Sequence, residues 1–216
     1  MAEYVDAVVI GGGQAGLAAS YYLSEAEIPH VILDASTRVG DAWRARWDSL
    51  GLFSVARYDA LPGLPFPGDQ EHFPGKDEVA DYLEAYARVF QLPVKPKHRV
   101  TALARIDGGY RLDTESGAYK SGHVIVGTGA YQRRHVPDFA QKLSDDVLQL
   151  HSVEYRNPDQ LGTEQVLVVG AANSGAQIAE DLAPRHRVCC RVEGSYLGSR
   201  SACSAGPCTG GGTSSA

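Results

Sequence analysis

Residues 11–17, Gly-Gly-Gly-Gln-Ala-Gly-Leu, have the residue types and the spacing of a loop that binds a pyrophosphate group. An apolar, β-branched run from Val5 to Ile10 precedes the loop and has the character of a buried parallel strand. Residues 14–23 then repeat apolar side chains at helical spacing. The glycines therefore lie between a strand and a helix, which is the position that a pyrophosphate-binding loop requires.

Each glycine of this loop has a separate predicted task. Gly11 permits the tight turn, Gly13 lets the backbone approach the phosphates, and Gly16 allows the helix to pack closely on the strand. The first helical turn, which begins with Gln14 and Ala15, presents free N–H groups and the positive end of the helix dipole. These five residues are the predicted phosphate site, and an ordinary glycine-rich turn is the alternative.

A second strand-like run, Pro29 to Leu33, ends at Asp34. The acid lies close to the offset of roughly 20 residues at which a carboxylate accepts hydrogen bonds from an adenosine ribose. The order and spacing of the strand, loop, helix, second strand and acid are thus those of a dinucleotide-binding motif.

A second loop of the same kind follows the apolar run 165–169 and precedes a helical pattern over 176–182, with a possible further strand at 187–192. Ala172 replaces its middle glycine, so a methyl group stands where the backbone would meet a pyrophosphate. The residues assigned to this site are Gly170, Ala172, Asn173, Ser174 and Gly175.

Between the two loops, residues 77–90 have helical periodicity, and residues 99–121 alternate with a period of two around two glycine turns. The first pattern predicts a helix and the second a three-stranded antiparallel meander. A further buried strand is expected at 123–129. At its end, Thr128 and Gly129 either carry the backbone past a ligand or make a turn. The predicted fold is α/β: a Rossmann-like, doubly wound parallel sheet with an antiparallel β-meander and a partial second Rossmann unit.

Residues 38–47 hold both tryptophans of the chain, with Gly40, Trp43 and Arg44 among them. Two indoles beside arginines are suited to wall an aromatic cofactor, and the alternative is that they anchor the core.

Composition excludes several functions. The net charge of −6 without clustered basic residues argues against a nucleic-acid partner. The N-terminus lacks the pattern of a secretory signal, and no apolar stretch of about 18 residues is present, so we expect a cytoplasmic protein without a membrane partner. The four cysteines offer no metal-binding spacing, and no metal is expected. They are Cys189, Cys190, Cys203 and Cys208.

Two loops about 160 residues apart, Gly40-x-x-Trp43 after the first acid, and a strand that ends in Thr128-Gly129 resemble the flavin-dependent monooxygenases. The resemblance covers residues 6–188 and implies that FAD binds the first loop and NADPH the second. It further implies that Asp34 binds the ribose of FAD and that the segment with Gly40 and Trp43 lies beside the flavin.

The chain departs from the pattern of that family in three places. Asp41 replaces the second glycine before the tryptophan, Ala172 replaces a glycine of the NADPH loop, and the fingerprint that links the two domains keeps only His151 and Tyr155. His151 is either catalytic or a linker histidine held by the backbone. None of the departures excludes FAD binding, but Ala172 and the incomplete fingerprint predict weak use of NADPH.

The domains expected are an FAD-binding domain at 1–155, a partial NAD(P)H-binding unit at 156–193 and a disordered Gly/Ser/Cys tail at 194–216. The abrupt change of composition after Val188 favours a shifted reading frame or a truncation, and a natural flexible tail is the alternative.

The resemblance implies an oxidoreductase in which NADPH delivers hydride to FAD, which then activates O2 against a small-molecule substrate. The main alternative is a non-catalytic fragment that binds FAD or its ADP half. A simple FAD-linked reductase is a third hypothesis, although no C-x-x-C motif supports it. No catalytic residue is assigned, and the oligomeric state is left open.

Overall fold

Two compact units make up the structure, a computed structural model that describes residues 2–131, 134–162, 165–192 and 195–197. The first unit comprises residues 1–46 and 50–149, and the second comprises residues 47–49 and the described residues from Leu150 onward. The predicted boundary after residue 155 stays a prediction.

The first unit begins with a parallel β-α-β motif. Its strands and helices are β1 (Glu3–Ile10), α1 (Gln14–Glu25), β2 (His30–Leu33), α2 (Asp41–Arg44), α3 (Lys76–Val89), β3 (Val94–Lys95), β4 (Val100–Ile106), β5 (Gly109–Thr114) and β6 (Gly117–Val126). Short 3-10 helices lie at Ala56–Tyr58 and Asp138–Lys142. The six strands form one sheet in the order β3-β2-β1-β6-β5-β4, parallel from β3 to β6 and antiparallel from β6 to β4.

The side chains of β1 alternate between the two faces of this sheet, and each face has its own buried cluster. Val9 joins Leu17 of α1 and Tyr86 of α3 in a buried cluster on one face. Val8 packs in the cluster on the other face, where Leu112 of the meander is also buried. Since successive strand side chains point to opposite faces, a continuous apolar run is what a strand covered on both sides requires. The doubly wound α/β fold with its antiparallel meander is confirmed.

One sequence prediction about the meander is wrong: its third strand and the return strand are a single strand, β6. The apparent break at Ser121 does not end the strand because the buried hydroxyl of Ser121 donates to the carbonyl oxygens of Asp6 and His123, at 3.1 and 2.7 Å. The same residue pairs with Val5 of β1 and with Tyr110 of β5. A polar residue with these partners can remain inside a sheet.

The second unit repeats the opening motif on a smaller scale. It contains a 3-10 helix at Pro158–Gln160, β7 (Gln165–Val169), α4 (Asn173–Leu182), β8 (Arg187–Val192) and β9 (Ser195–Leu197). Its sheet has the order β7-β8-β9, with β7 and β8 parallel and β8 and β9 antiparallel. Ile178 and Leu182 of α4 and Val188 of β8 are buried.

The prediction of a disordered tail from residue 194 onward is wrong at residues 195–197, which form β9. Cys190 pairs with Leu197 and Val192 with Ser195, so the backbone of β8 supplies partners that composition does not reveal. The rest of the tail, with Cys203 and Cys208, lies outside the described residues. Within the described residues, no helix has both the length and the apolar character that crossing a membrane requires.

Candidate dinucleotide-binding loops

The loop between β1 and α1 leaves space at the N-terminus of the helix. Gly13 is the N-cap residue, and no side chain caps α1. The backbone of Gly13 is extended (φ −81°, ψ −175°), and a Cβ atom added there would meet no protein atom within 4 Å. Gln14 and Ala15 are exposed. The first-turn N–H groups are thus directed into open space and can bind an anion.

Gly11 and Gly16, in contrast, are required by the protein itself. Gly11 has a φ of +102°, and a Cβ atom there would lie 2.7 Å from the carbonyl oxygen of Gly127 and 3.3 Å from the Cα of Thr128. A Cβ atom on Gly16 would overlap the carbonyl oxygen of Gly11. The backbone of Thr128 therefore lies close to Gly11, and both Thr128 and Gly129 are exposed.

Asp34 holds the other side of this loop. Its Oδ2 accepts the N–H of Gly12 at 2.5 Å, and its Oδ1 accepts the N–H of Ser36 at 2.7 Å. A Cβ atom on Gly12 would lie 3.0 Å from the same Oδ2. Since a carboxylate offers about four lone-pair sites, both oxygens can still accept a ribose hydroxyl. The acid and the loop predicted from the sequence lie together.

Arg44 attaches α2 to α3. Its guanidinium donates to the carbonyl oxygen of Val39 at 2.7 Å, to Asp81 at 2.8 Å and to Glu84 at 2.7 Å. Burial lowers the pKa of Arg44, but the two acidic partners outweigh it and raise the pKa above the usual value. The sequence places Arg44 among the cofactor-binding residues, and the structure places its guanidinium between two carboxylates of α3. Contact with a cofactor stays a prediction.

The rest of this segment is held by Asp41, the residue that replaces the second glycine of the family pattern. Burial raises the pKa of Asp41, but hydrogen bonds from Thr37 and Arg38 prevail and lower it. Gly40 is buried, and a Cβ atom there would lie 2.6 Å from the carbonyl oxygen of Ala80. Trp43 is half-buried against the core cluster that contains Tyr86.

The loop between β7 and α4 has the backbone geometry of the first loop. Gly170 has a φ of +106°, and a Cβ atom on Gly175 would overlap the carbonyl oxygen of Gly170. Ala172 is the N-cap residue of α4 with φ −75° and ψ 177°, which matches Gly13 closely. Asn173 and Ser174 begin α4, and no side chain caps it. The methyl group of Ala172 therefore occupies the position that is open at Gly13.

Strand register shows which residue of β8 corresponds to Asp34. The N–H of Gly11 donates to the carbonyl oxygen of Leu33 at 2.8 Å, and that of Gly170 donates to the carbonyl oxygen of Arg191 at 2.9 Å. Asp34 follows Leu33, and Val192 follows Arg191. The residue of the second unit at the position of Asp34 is thus Val192, which carries no carboxylate.

The two fingerprint residues retained from the family have structural partners within the second unit. Nδ1 of His151 accepts the N–H of Val153 at 3.3 Å. The hydroxyl of Tyr155 donates to Asp181 at 2.6 Å, and burial together with this bond raises the pKa of Tyr155. These contacts favour the interpretation of His151 as a linker histidine.

Sequence reasoning missed two features of the site. The first is Gly12, whose N–H orients Asp34 and which the run of three consecutive glycines could have indicated. The second is the correspondence of Val192 with Asp34, which becomes visible only when the strands are paired.

Comparison with known proteins identifies the family. A sequence profile of pyridine nucleotide-disulphide oxidoreductases matches residues 8–204. An uncharacterized CzcO-like oxidoreductase from Geobacillus kaustophilus is 46% identical over 188 residues, which are 87% of this chain and 54% of that protein. Indole-3-pyruvate monooxygenase YUCCA1 from Oryza sativa is 34% identical over 182 residues, which cover 82% and 44% of the two chains. The chain spans about half the length of the curated relatives that it matches.

A flavin-containing monooxygenase from Stenotrophomonas maltophilia has a similar fold, with a TM-score of 0.84 and 33% identity over 90% of this chain and 59% of that chain. The resemblance that the two loops indicate is thereby confirmed. With the profile matching most of the sequence, this chain belongs to the pyridine nucleotide-disulphide oxidoreductase family, in its flavin-monooxygenase-like branch.

Proposed function

We propose that this chain is the nucleotide-binding portion of a flavoprotein oxidoreductase and that its first loop binds FAD. The observation that carries the proposal is the combination of an uncapped helix N-terminus, an open position at Gly13 and a carboxylate held across the same loop. The helix end favours a pyrophosphate, and Asp34 favours the hydroxyls of an adenosine ribose. The family and the flavin monooxygenase of similar fold support this proposal.

The chain's own residues would bind and orient this cofactor. First-turn N–H groups, from Gln14 and Ala15 onward, would hold the pyrophosphate, while Gly11 and Gly16 keep the helix close to the strand. Thr128 and Gly129 follow β6 beside the same loop. When bound, FAD supplies the capacity to accept hydride and to react with O2.

The segment 40–43 forms another part of the proposed site. Gly40 and Trp43 would lie beside the flavin, and the bonds from Arg44 to Asp81 and Glu84 fix the segment against α3. In this arrangement Arg44 and Asp41 hold the backbone of the segment, and they need not touch the cofactor.

The second loop is the proposed site of NADPH, the hydride donor. Its backbone has the geometry of the first loop, which supports binding of a dinucleotide, but the methyl group of Ala172 narrows the approach of a pyrophosphate. We therefore expect slow reduction of bound FAD by NADPH. The proposed substrate is a small molecule that is oxidised by O2.

Two measurements on the purified chain test this proposal. FAD titrated into the chain should bind with a stoichiometry of about one, and ADP should compete for the same site. Anaerobic mixing with NADPH should then bleach the flavin more slowly than about 1 per second, which is a low rate for an enzyme.

The outcomes separate the candidate functions. Flavin that never bleaches with NADPH would favour the non-catalytic binder of FAD or its ADP half, which the methyl group of Ala172 also supports. A chain that binds neither FAD nor ADP would refute the assignment of the first loop. Bleaching at or above 1 per second would show a more competent second site than Ala172 predicts.

A further inference from the structure

Two exposed phenylalanines, Phe53 and Phe73, lie on a short antiparallel ribbon that leads into α3. They adjoin Leu52 and Pro74, where the N–H of Leu52 donates to the carbonyl oxygen of Pro74 at 2.8 Å. Leu52 packs against the core cluster of the first unit, and Pro74 is fully buried. Since successive side chains of an extended segment point to opposite faces, both phenylalanines point away from the core. They are 77% and 56% exposed, and we call them the aromatic pair.

The ring faces of the aromatic pair are available to a ligand. Facing side chains of an antiparallel ribbon begin about 5 Å apart, which is close enough for two rings to touch. Among the described residues, however, neither ring of the aromatic pair contacts another aromatic ring. Nearby Tyr58 is also exposed, but the guanidinium of Arg57 lies 4.9 Å from its ring centroid. The aromatic pair has no such partner within the part of the chain that the structure describes.

The polar side chains beside the aromatic pair are engaged with each other's segments. The hydroxyl of Ser54 donates to Asp59 at 2.5 Å, and Nε2 of His72 shares a hydrogen bond with Glu78 at 2.9 Å. The residues that adjoin the two rings thus offer a ligand stacking faces rather than a charge. Offset stacking on an aromatic ring is the contact that a neutral, planar molecule makes best.

The size of the exposed surface fits a small molecule better than a second copy of this chain. A phenylalanine side chain buries roughly 150–250 Å², so the two exposed fractions amount to an area on the order of 250 Å². A stable interface between proteins needs about 800 Å² from each partner. Exposed acidic residues, Glu71 and Asp77, lie on both sides of Phe73 in the sequence and limit the apolar surface there.

We propose that the aromatic pair, Phe53 and Phe73, binds the substrate and selects a neutral, planar aromatic molecule. The ribbon leads directly into α3, and Arg44 fixes the segment proposed to lie beside the flavin against Asp81 and Glu84 of the same helix. The aromatic pair and that segment are therefore attached to one helix of the first unit. The identification of the ligand as the substrate rests on the proposed function, whereas the binding of an aromatic molecule by the two rings does not.

The test titrates 2-naphthol, a neutral planar probe, into the chain with and without FAD, and saturation-transfer NMR reports binding. We expect a Kd on the order of 1 mM, as for a small ligand that stays partly exposed. Its saturated counterpart, decahydro-2-naphthol, has the same carbon skeleton but no π-face and should bind roughly tenfold more weakly.

Three variants locate the site of the probe. The double substitution Phe53→Ala and Phe73→Ala should weaken 2-naphthol binding roughly tenfold, because two stacking contacts are lost. The double substitution Phe53→Tyr and Phe73→Tyr keeps both ring faces and should retain the binding. Tyr4→Ala is the control, because Tyr4 is a 67% exposed aromatic residue on β1 of the same unit and should have no effect. Thermal midpoints show that each variant is folded.

Several results would overturn the proposal. Unchanged affinity in the double alanine variant would do so, as would equal affinity for the two probes. Displacement of 2-naphthol by FAD would assign the rings to the cofactor, and self-association that the double alanine variant abolishes would assign them to a second copy. Flavin retained after desalting is measured on the same samples. A chain that keeps FAD but does not bind 2-naphthol refutes this inference alone, whereas one that binds 2-naphthol but not FAD refutes the proposed function.

Discussion

Replacing Gly13 should separate the role of the first loop in ligand binding from its role in folding. The structure leaves open space at Gly13, so the Cβ atom of Gly13→Val meets no protein atom within 4 Å. A Cβ atom on Gly16 would instead overlap the carbonyl oxygen of Gly11 and lie 3.3 Å from a methyl group of Val9. Gly16→Ala is therefore the matched variant, because its added methyl group clashes with the backbone of the loop itself.

The expected magnitudes follow from these surroundings. Valine at an N-cap position is less favourable than glycine, so Gly13→Val should cost about 0.5–1 kcal/mol of stability. Its branched side chain would stand against the pyrophosphate, and overpacking of about 1–3 kcal/mol would raise the Kd for FAD roughly 5–150-fold. Gly16→Ala should cost about 3 kcal/mol, because neither the strand nor the helix can move away freely. The melting temperature would then fall by roughly 6–12 °C.

The assay compares two readouts for three proteins. Flavin retained after desalting reports ligand binding, and the melting temperature without FAD reports folding. Gly13→Val should lose the flavin and remain nearly as stable as the original chain, whereas Gly16→Ala should lose both. Gly13→Ala, which copies the Ala172 position of the second loop, should fall between the original chain and Gly13→Val in FAD affinity. If Gly13→Val retains its flavin, the assignment of the first loop is wrong.

Four further changes test other parts of the structure. Arg44→Ala should lower stability by about 2 kcal/mol, since it leaves Asp81 and Glu84 without their partner; Arg44→Lys should restore part of that loss in a denaturant titration. Ala172→Gly should tighten NADPH binding several-fold by calorimetry, and no change would show that the methyl group does not limit the site. The lowered pKa of Asp41 means that its contribution to stability is present above its unfolded pKa of about 4 and is lost as pH falls through the lower folded value. Asp41→Asn should therefore reduce the melting temperature at pH 7, and the reduction should become smaller as the pH falls below about 4. Removal of residues 198–216 should leave the melting temperature unchanged, whereas removal of 193–216 should lower it, because the second deletion also removes β9.

Local sequence patterns predicted the elements whose formation depends on periodicity. β1, α1 and α3 have uninterrupted apolar repeats, and the predicted bounds agree with the structure to within a few residues. The patterns failed where a distant partner decides the outcome. β6 continues through Ser121 because Asp6 accepts its hydroxyl, and β9 forms because β8 offers a backbone edge.

The candidate site shows the same limit. Glycine spacing located both loops, because the turn itself requires glycine at Gly11 and Gly16. The partners of Arg44 could not be inferred, since Asp81 and Glu84 lie 37 and 40 residues further along the chain. Only the packing of α2 on α3 reveals that this guanidinium is held between two carboxylates.

The chain contains the same strand-loop-helix-strand motif twice, and this repetition separates what the fold provides from what particular side chains provide. Both loops turn at a glycine with positive φ, and both helices begin without a side-chain cap, so both can attract a phosphate. Among the positions at which the two motifs differ, two pairs bear on nucleotide binding in our proposal, Gly13 with Ala172 and Asp34 with Val192. A ligand that needs close backbone approach and a carboxylate for its ribose should bind the first loop, whereas a ligand bound at the second must tolerate a methyl group and the lack of that acid. The distinct nucleotide preferences of the two loops should therefore follow these four residues, because the backbone of the two loops is nearly the same.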